Sequence, residues 1–572
     1  MALINPKNIF KKNLRQKNWG REIDPDEIFI DASNLPQFDQ SQFEGRLEKP
    51  ISKHTVIGCG VIFLIIFLLF LGKVSMLQLA QGKAYALKSQ QNSLRQTIIY
   101  PERGIIYDRN KVILASNIYT IAESEFSRRT YATISGMSHI LGYVRYPAKD
   151  ANGFYYQDRY EGVDGVEQVY NRQISGKSGL IIIETNALGK IESKSLIEMP
   201  RDGASLLLSI DSRIEKKLYE LIKSLAENTG FNGGAAVLMD VNTGEIIVSV
   251  SYPEYDSNVM SDRNNVEAIS EFIKNEQKPF LNRVTDGLYT PGSIIKPFIA
   301  LAALKEGVID PNKEILSTGS ISVPNPFDPD KKSVFRDWKA HGYVDMRSAL
   351  AVSSDVYFYE IGGGFQDQPG LGIENIEKYM RLFGFGETLP DNHLLDKEGS
   401  IPSPDWKKEN FNGDQWRIGD TYNTSIGQYG FQATPMQIVR ATASIANGGR
   451  LLNPTLLKTS ELEAIKQEKI LPFNDEQINV IKEGMRQAVI SGTATGLNIP
   501  EVKIAAKTGT AELGSVKKFV NSWIIGFFPY EKPRFAFAAI MEKGPYENTI
   551  GALYVMRQLF EWMALHTPEY LR

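Results

Sequence analysis

Three short stretches combine residue types that can carry out acyl transfer. Ser293 and Lys296 stand three apart in Tyr289-Thr290-Pro291-Gly292-Ser293-Ile294-Ile295-Lys296-Pro297-Phe298, and an apolar run continues through residues 299–304. On a helix that spacing puts both side chains on one face, about one turn apart. A serine hydroxyl is a weak nucleophile at neutral pH, and a neutral lysine amine beside it can take its proton. Pro297 fits the first turn of such a helix, where its missing N–H removes no intrahelical bond. Ser293 then lies near the positive end of the helix dipole. Helix capping by Ser293 is the non-catalytic alternative.

In the second stretch, Val352-Ser353-Ser354-Asp355-Val356, hydroxyls and a carboxylate stand between a helix-like run (346–352) and Tyr357-Phe358-Tyr359. A helix cap again competes with a catalytic reading. The third, Lys507-Thr508-Gly509-Thr510, directly follows a strand-like run at 502–506. A lysine and hydroxyls at a strand edge, with a glycine for close approach, suit a substrate carboxylate next to a reacting carbonyl. Each motif alone is weak. Ser-x-x-Lys recurs from Ser515 to Lys518 with no apolar run behind it, and Lys177-Ser178-Gly179 precedes Ser293. The weight lies in three elements in order, each in a fitting context.

The elements that must position them fill a chain of 572 residues, enough for two or three domains. The net charge of −3 suggests neither a nucleic-acid binder nor an acidic tail. Cys59 is the only cysteine, which excludes intrachain disulfides, Cys-based zinc sites and Fe–S clusters, and no His-Glu-x-x-His motif is present. Residues 1–54 read as a basic, mostly disordered tail with Lys7, Lys11, Lys12, Arg15, Lys17 and Arg21. Residues 55–72 read as an uncleaved transmembrane anchor, because the stretch 54–72 contains no acid, lysine or arginine. Charges flank both sides of it, and the far N-terminal basic cluster favours the tail inside and the body outside.

Residues 73–205 begin with a helix, continue as short strands with a turn at Asp108-Arg109-Asn110-Lys111, and show no evident catalytic set. Residues 206–572 read as a larger α/β (α+β) body. Asp211 caps a helix through Ile214, Leu218, Ile222 and Leu225. The runs 235–239 and 245–250 form a hairpin around Asp240-Val241-Asn242-Thr243-Gly244. Strand-like runs at 502–506, 522–528 and 535–541 precede a last helix at 553–565. Strands at both ends with helices between them imply one sheet built from both ends of the domain.

Ser-x-x-Lys, Ser-Ser-Asp and Lys-Thr-Gly in this order resemble the signature of penicillin-binding proteins and class A β-lactamases. Arg103-Gly104-Ile105-Ile106-Tyr107-Asp108-Arg109-Asn110, and Gly162-Val163-Asp164-Gly165-Val166-Glu167 with Tyr170, Gly176 and Gly179, resemble the pedestal motifs of class B penicillin-binding proteins. Arg336-Asp337-Trp338-Lys339, Ser353-Ser354-Asp355, and Gly419-Asp420-Thr421 through Ser425-Ile426-Gly427-Gln428 resemble the elongation-type subgroup, penicillin-binding protein 2. The resemblance runs from about residue 55 to the end. Lys111 departs from a usual glycine. Asp355 departs from the more common asparagine, though the elongation subgroup commonly has aspartate.

The resemblance implies a penicillin-binding, serine β-lactamase-like transpeptidase domain on a mixed α+β pedestal (dimerisation-like) domain behind one membrane helix. It implies a D,D-transpeptidase that cross-links peptidoglycan stem peptides during elongation and is acylated by β-lactams. Ser293 is then the nucleophile and Lys296 its base, kept neutral by burial and by Lys507. Ser353 relays a proton, Asp355 orients the network, and the N–H groups of Ser293 and Thr510 form the oxyanion hole. Lys507, Thr508, Gly509 and Thr510 bind the terminal carboxylate. No cofactor or nucleic acid is implied. Some relatives bind a metal near the Arg-Asp-Trp-Lys segment; Asp337 and His341 are the residues here that could, without a cysteine, and no metal is expected. The implied partners are a glycosyltransferase of the shape, elongation, division and sporulation family and a morphogenesis scaffold protein. The implied location is the inner membrane, single-pass, with the catalytic domain on its outer face. A carboxypeptidase, a β-lactam sensor or a silent scaffold of the same fold are the alternatives; a β-lactamase lacks its Glu-x-x-Leu-Asn element here.

Overall fold

The computed structural model describes residues 52–119, 125–151, 155–185, 191–325, 328–389, 396–460, 463, 468–514 and 518–572. Residues 1–51 of the expected tail and most of the Ser515–Lys518 copy of Ser-x-x-Lys lie outside the described residues. The chain divides into two units, Met1–Asn92 and Ser93–Arg572, so the break falls about twenty residues beyond the expected end of the anchor.

In the first unit, α1 (Lys53–Ser75) is apolar around its whole circumference and has no buried residue. One π-helical turn, Met76–Ala80, extends it. The 28-residue helix is long and apolar enough to cross a membrane. The helix α2 (Gly82–Ser93) follows.

The second unit opens with a three-stranded sheet, Leu94–Ile99, Gly179–Thr185 and Ile191–Glu198. A second small sheet pairs Ile106–Tyr107 with Ile113–Ile118 and, in parallel, with Leu206–Leu207. The pedestal motifs meet here in a buried ion triad. Arg103 and Arg129 reach the two oxygens of Glu167 at 2.5 and 2.7 Å, with all three side chains almost wholly buried. The Asp108-Arg109-Asn110 turn docks on the larger body. Asp108 Oδ2 accepts from Ser212 Oγ at 2.7 Å, and Asn110 Nδ2 donates to Asp211 Oδ2 at 3.0 Å. Lys111 takes a left-handed φ of 66°, the conformation that makes glycine usual at such a turn.

The larger body is built on five antiparallel strands: β1 (Gly233–Asp240), β2 (Ile246–Tyr252), β3 (Ala505–Leu513), β4 (Phe519–Phe528) and β5 (Phe535–Pro545), in the order β2-β1-β5-β4-β3. The first strand pairs with the last, Gly233 opposite Glu542 through Asp240 opposite Phe535. Alternate residues of β1 enter different cores. Ala236 and Leu238 pack with α3 (Ser212–Thr229) and the C-terminal helix Ala552–His566. Ala235, Val237 and Met239 pack on the other face with α4 (Lys296–Lys305) and the helix Pro435–Ala446. A sheet covered on both faces has no polar side, so its strands read as continuous apolar runs. Helix α3 starts at Asp211, whose carboxylate accepts from Arg213 N, and stops at Gly230 with φ 76°.

Candidate active site

The turn that carries Ser293 is a 3-10 segment, Gly292–Ile295, and Lys296 is the first residue of α4. Ser293 therefore precedes the α-helix rather than belonging to it, and Pro297 occupies its first turn as expected. Close backbone contacts hold the turn. Gly292 N donates to Gly427 O at 2.9 Å, and a Cβ on Gly427 (φ 75°) would lie 2.3 Å from Gly292 O. On the other side, a Cβ on Gly509 would lie 2.9 Å from Ile294 Cγ2 and 3.1 Å from Pro291 O. The glycine of Lys-Thr-Gly thus lets β3 lie against the serine turn, a closeness that side chains forbid. Trp523 Nε1 adds a hydrogen bond to Thr290 O at 3.0 Å. Ser293 is partly exposed, and its hydroxyl makes no hydrogen bond among the described residues.

The two serines of Ser353-Ser354-Asp355 divide the labour that the sequence left open. Helix α5 (Met346–Val352) ends at Ser353 in the left-handed region, φ 60°. Ser354 caps α6 (Asp355–Gly363), accepting from Tyr357 N, and donates to Asp337 Oδ2 at 2.8 Å. The same carboxylate oxygen accepts from Val356 N at 3.0 Å. With the cap made by Ser354 and Asp337, Ser353 is released to the site. Lys296 Nζ donates to Ser353 O at 2.8 Å and to Ser353 Oγ at 3.3 Å, and pairs with Asp355 Oδ1 at 2.6 Å.

Lys507, Thr508, Gly509 and Thr510 lie inside β3 rather than after it, because the strand begins at Ala505 and runs through them to Leu513. Alternation along the strand turns Lys507 inward and leaves Thr510 exposed. Lys507 Nζ reaches Ser353 Oγ at 2.8 Å and Thr508 O at 2.8 Å. Burial, and then the nearby Lys296 charge, push its amine well below the usual lysine range, with Asp355 opposing them. Lys296 holds a carboxylate partner, and among the described residues no hydrogen bond joins its amine to Ser293 Oγ. Lys507 is the amine that burial pushes down, and it faces Ser353. Thr508 Oγ1 is hydrogen-bonded to Thr493 Oγ1 at 2.6 Å, and Thr510 O would lie 3.0 Å from a Cβ on Gly292, so Thr510 flanks the serine turn.

Sequence reading missed Thr493 and Gly427 as members of the site. It read Asp337 as part of a subgroup motif and as a metal candidate, not as the partner of a helix cap. The Asp337 carboxylate is engaged by Val356 N, Ser354 Oγ and Trp338 N, with His341 Nε2 3.4 Å away. Among the described residues no three His, Cys, Asp or Glu side chains are grouped to hold a metal. The Lys177-Ser178-Gly179 copy sits where Lys177 bridges Arg201, at the start of the strand Gly179–Thr185, and does not join the site.

A two-faced antiparallel sheet with a serine turn, a second serine and an inward lysine on its edge strand fits the fold shared by penicillin-binding proteins and serine β-lactamases. The penicillin-binding protein transpeptidase domain family matches residues 234–561, and the penicillin-binding protein dimerisation domain matches residues 120–208. The chain belongs to the penicillin-binding protein transpeptidase family. It is 30% identical over 454 residues to the peptidoglycan D,D-transpeptidase MrdA of Haemophilus influenzae, covering 73% of this chain and 66% of that protein. The penicillin-binding protein 2 of Helicobacter pylori, solved in complex with MreC, superposes with a TM-score of 0.66 at 28% identity over 82% of this chain and 99% of that one. A chain of a peptidoglycan synthase complex that coordinates polymerization and crosslinking superposes with a TM-score of 0.67 at 26% identity over 90% of this chain and 98% of that one.

Proposed function

We propose that Ser293 is the acylated serine of a peptidoglycan D,D-transpeptidase that cross-links stem peptides during cell-wall elongation, and that β-lactams acylate the same hydroxyl. The chain is an acyltransferase of the serine D-Ala-D-Ala transpeptidase type. One observation carries the assignment: Ser353 Oγ stands between the amines of Lys296, at the start of the helix behind the Ser293 turn, and Lys507, at 3.3 and 2.8 Å.

The arrangement supports a relay. Lys296 passes its proton through Ser353 Oγ to Lys507 in its unprotonated form, which burial favours, and the freed Lys296 amine accepts the Ser293 proton as Oγ attacks the carbonyl between the two terminal D-alanines. Backbone N–H groups of Ser293 and Thr510 receive the developing oxyanion, each worth ~3 kcal/mol. The C–N bond then breaks, and the leaving amine takes its proton from Ser353, which Lys507 replenishes. Thr508 and Thr510 hold the terminal carboxylate. An amine from a neighbouring stem peptide attacks the ester, returns its proton along the same line and leaves a cross-link.

Residues 73–205 serve in this reading as the pedestal and residues 206–572 as the catalytic domain. α1 anchors the chain once in the membrane, with Ser293 on the outer face. The Helicobacter pylori complex supports a scaffold protein as partner, and the synthase complex supports a glycosyltransferase.

Intact-mass analysis after incubation with a penicillin, beside Ser293→Ala, tests the assignment. A long-lived adduct on the wild type that is absent from the variant is expected. Rapid penicillin loss without an adduct points to hydrolysis, and an adduct that survives in Ser293→Ala overturns the nucleophile.

A further inference from the structure

A cavity of about 240 Å³ lies in the seam between residues 131–141 and the turn at residues 254–258, apart from Ser293 and its network. Tyr131, Tyr255 and Phe272 supply aromatic wall, and Glu254, Asp256 and Ser257 supply acceptors; among the described residues no lysine, arginine or histidine lines it. Ser257 is only 5% exposed, and its hydroxyl has no hydrogen-bond partner among the described residues. Glu254 already spans the seam, accepting from Gly136 N at 2.7 Å and Ser138 N at 2.9 Å. Phe272 closes one side from the helix Val266–Lys274, which has no buried residue of its own.

We propose that this seam cavity binds a small organic cation, a primary ammonium on a short apolar body. Two carboxylates without a basic neighbour in the lining favour positive charge, and the Ser257 hydroxyl offers a further acceptor to an ammonium, which has three donors. Aromatic faces stabilise a cation and pack its apolar part. The volume falls below that of a drug-sized pocket, ~300 Å³ and upward, so the ligand is fragment-sized. Burial raises the Glu254 carboxyl above its usual range, and an ammonium beside it favours the charged form. Because the walls come from both sides of the seam, occupancy ties the segment 131–141 to the catalytic body.

The test uses the full chain in detergent with its catalytic cleft first blocked by a penicillin. Ligand-observed NMR titrations compare benzylamine with benzyl alcohol on the wild type and on Glu254→Gln. Benzylamine is expected to bind about tenfold more tightly than benzyl alcohol, and about tenfold more weakly to the variant than to the wild type. Equal binding of the two probes, or unchanged benzylamine affinity in Glu254→Gln, overturns the proposal. Penicillin acylation reports separately on folding and on the catalytic reading. If Glu254→Gln loses acylation through misfolding, Asp256→Asn at an exposed position replaces it. An affinity loss of about threefold supports the site, and no loss overturns it.

Discussion

Lys507 Nζ and Ser353 Oγ are 2.8 Å apart, and among the described residues the lysine has no carboxylate in hydrogen-bond contact. Lys296, 3.3 Å from the same hydroxyl, has Asp355 at 2.6 Å. Two amines on one hydroxyl with a single carboxylate leave one amine without a counter-charge; both are fully buried, and because Asp355 pairs with Lys296 the one left is Lys507.

A pH dependence follows. Lys507 titrates below the usual lysine range, so it accepts a proton at high pH and is already protonated at low pH. The rate of Ser293 acylation by a fluorescent penicillin should fall as pH drops through that folded value. Native-state stability has the same sign: the unfolded chain binds this proton at higher pH than the folded one, so stability is lost as pH falls from the usual lysine range towards the folded value. Lys507→Arg, which stays protonated, should lower acylation about 100-fold or more and remove the dependence. A flat wild-type profile with an active Lys507→Arg would contradict the relay.

Asp355→Asn should separate charge from geometry. Asparagine keeps an acceptor for Lys296 but removes the charge that raises the Lys507 value. The acid limb of the acylation profile should move to lower pH, with the maximal rate within about tenfold of wild type. A shift to higher pH would refute the assigned electrostatics.

Gly427→Ala should disable the site without touching a side chain in it. Its Cβ would meet Gly292 O at 2.3 Å, and its φ of 75° disfavours any L side chain. A stability loss of about 1–3 kcal/mol by thermal melting and a larger proportional loss of acylation are expected. Wild-type acylation in this variant would show that the turn tolerates displacement.

Glu167→Gln should damage the pedestal and spare the chemistry. It leaves Arg103 and Arg129 buried without their carboxylate, which costs about 3–5 kcal/mol. Denaturant melts should show the loss, while the folded fraction, counted by penicillin adducts, should be acylated at the wild-type rate.

The sequence by itself determined the order of the three motifs, the apolar helix at α1, the Asp211 cap and the hairpin around Asp240–Gly244. Those features depend on neighbours a few residues apart, where propensity and periodicity act. It also placed Ser293, Lys296, Ser353, Asp355 and Lys507 as one set through resemblance to a family. Tertiary structure alone decided what those groups touch. β3 begins before Lys507 because its edge pairs with β4, Lys507 opposite Ile525, and that pairing points the amine inward. Ser354 rather than Ser353 caps α6 because Asp337, from a distant hairpin, reaches it. Arg103 and Arg129 find Glu167 across more than thirty residues. Burial and ion pairing are set by contacts remote in the chain, and they decide that the Lys507 amine is pushed below the usual lysine range.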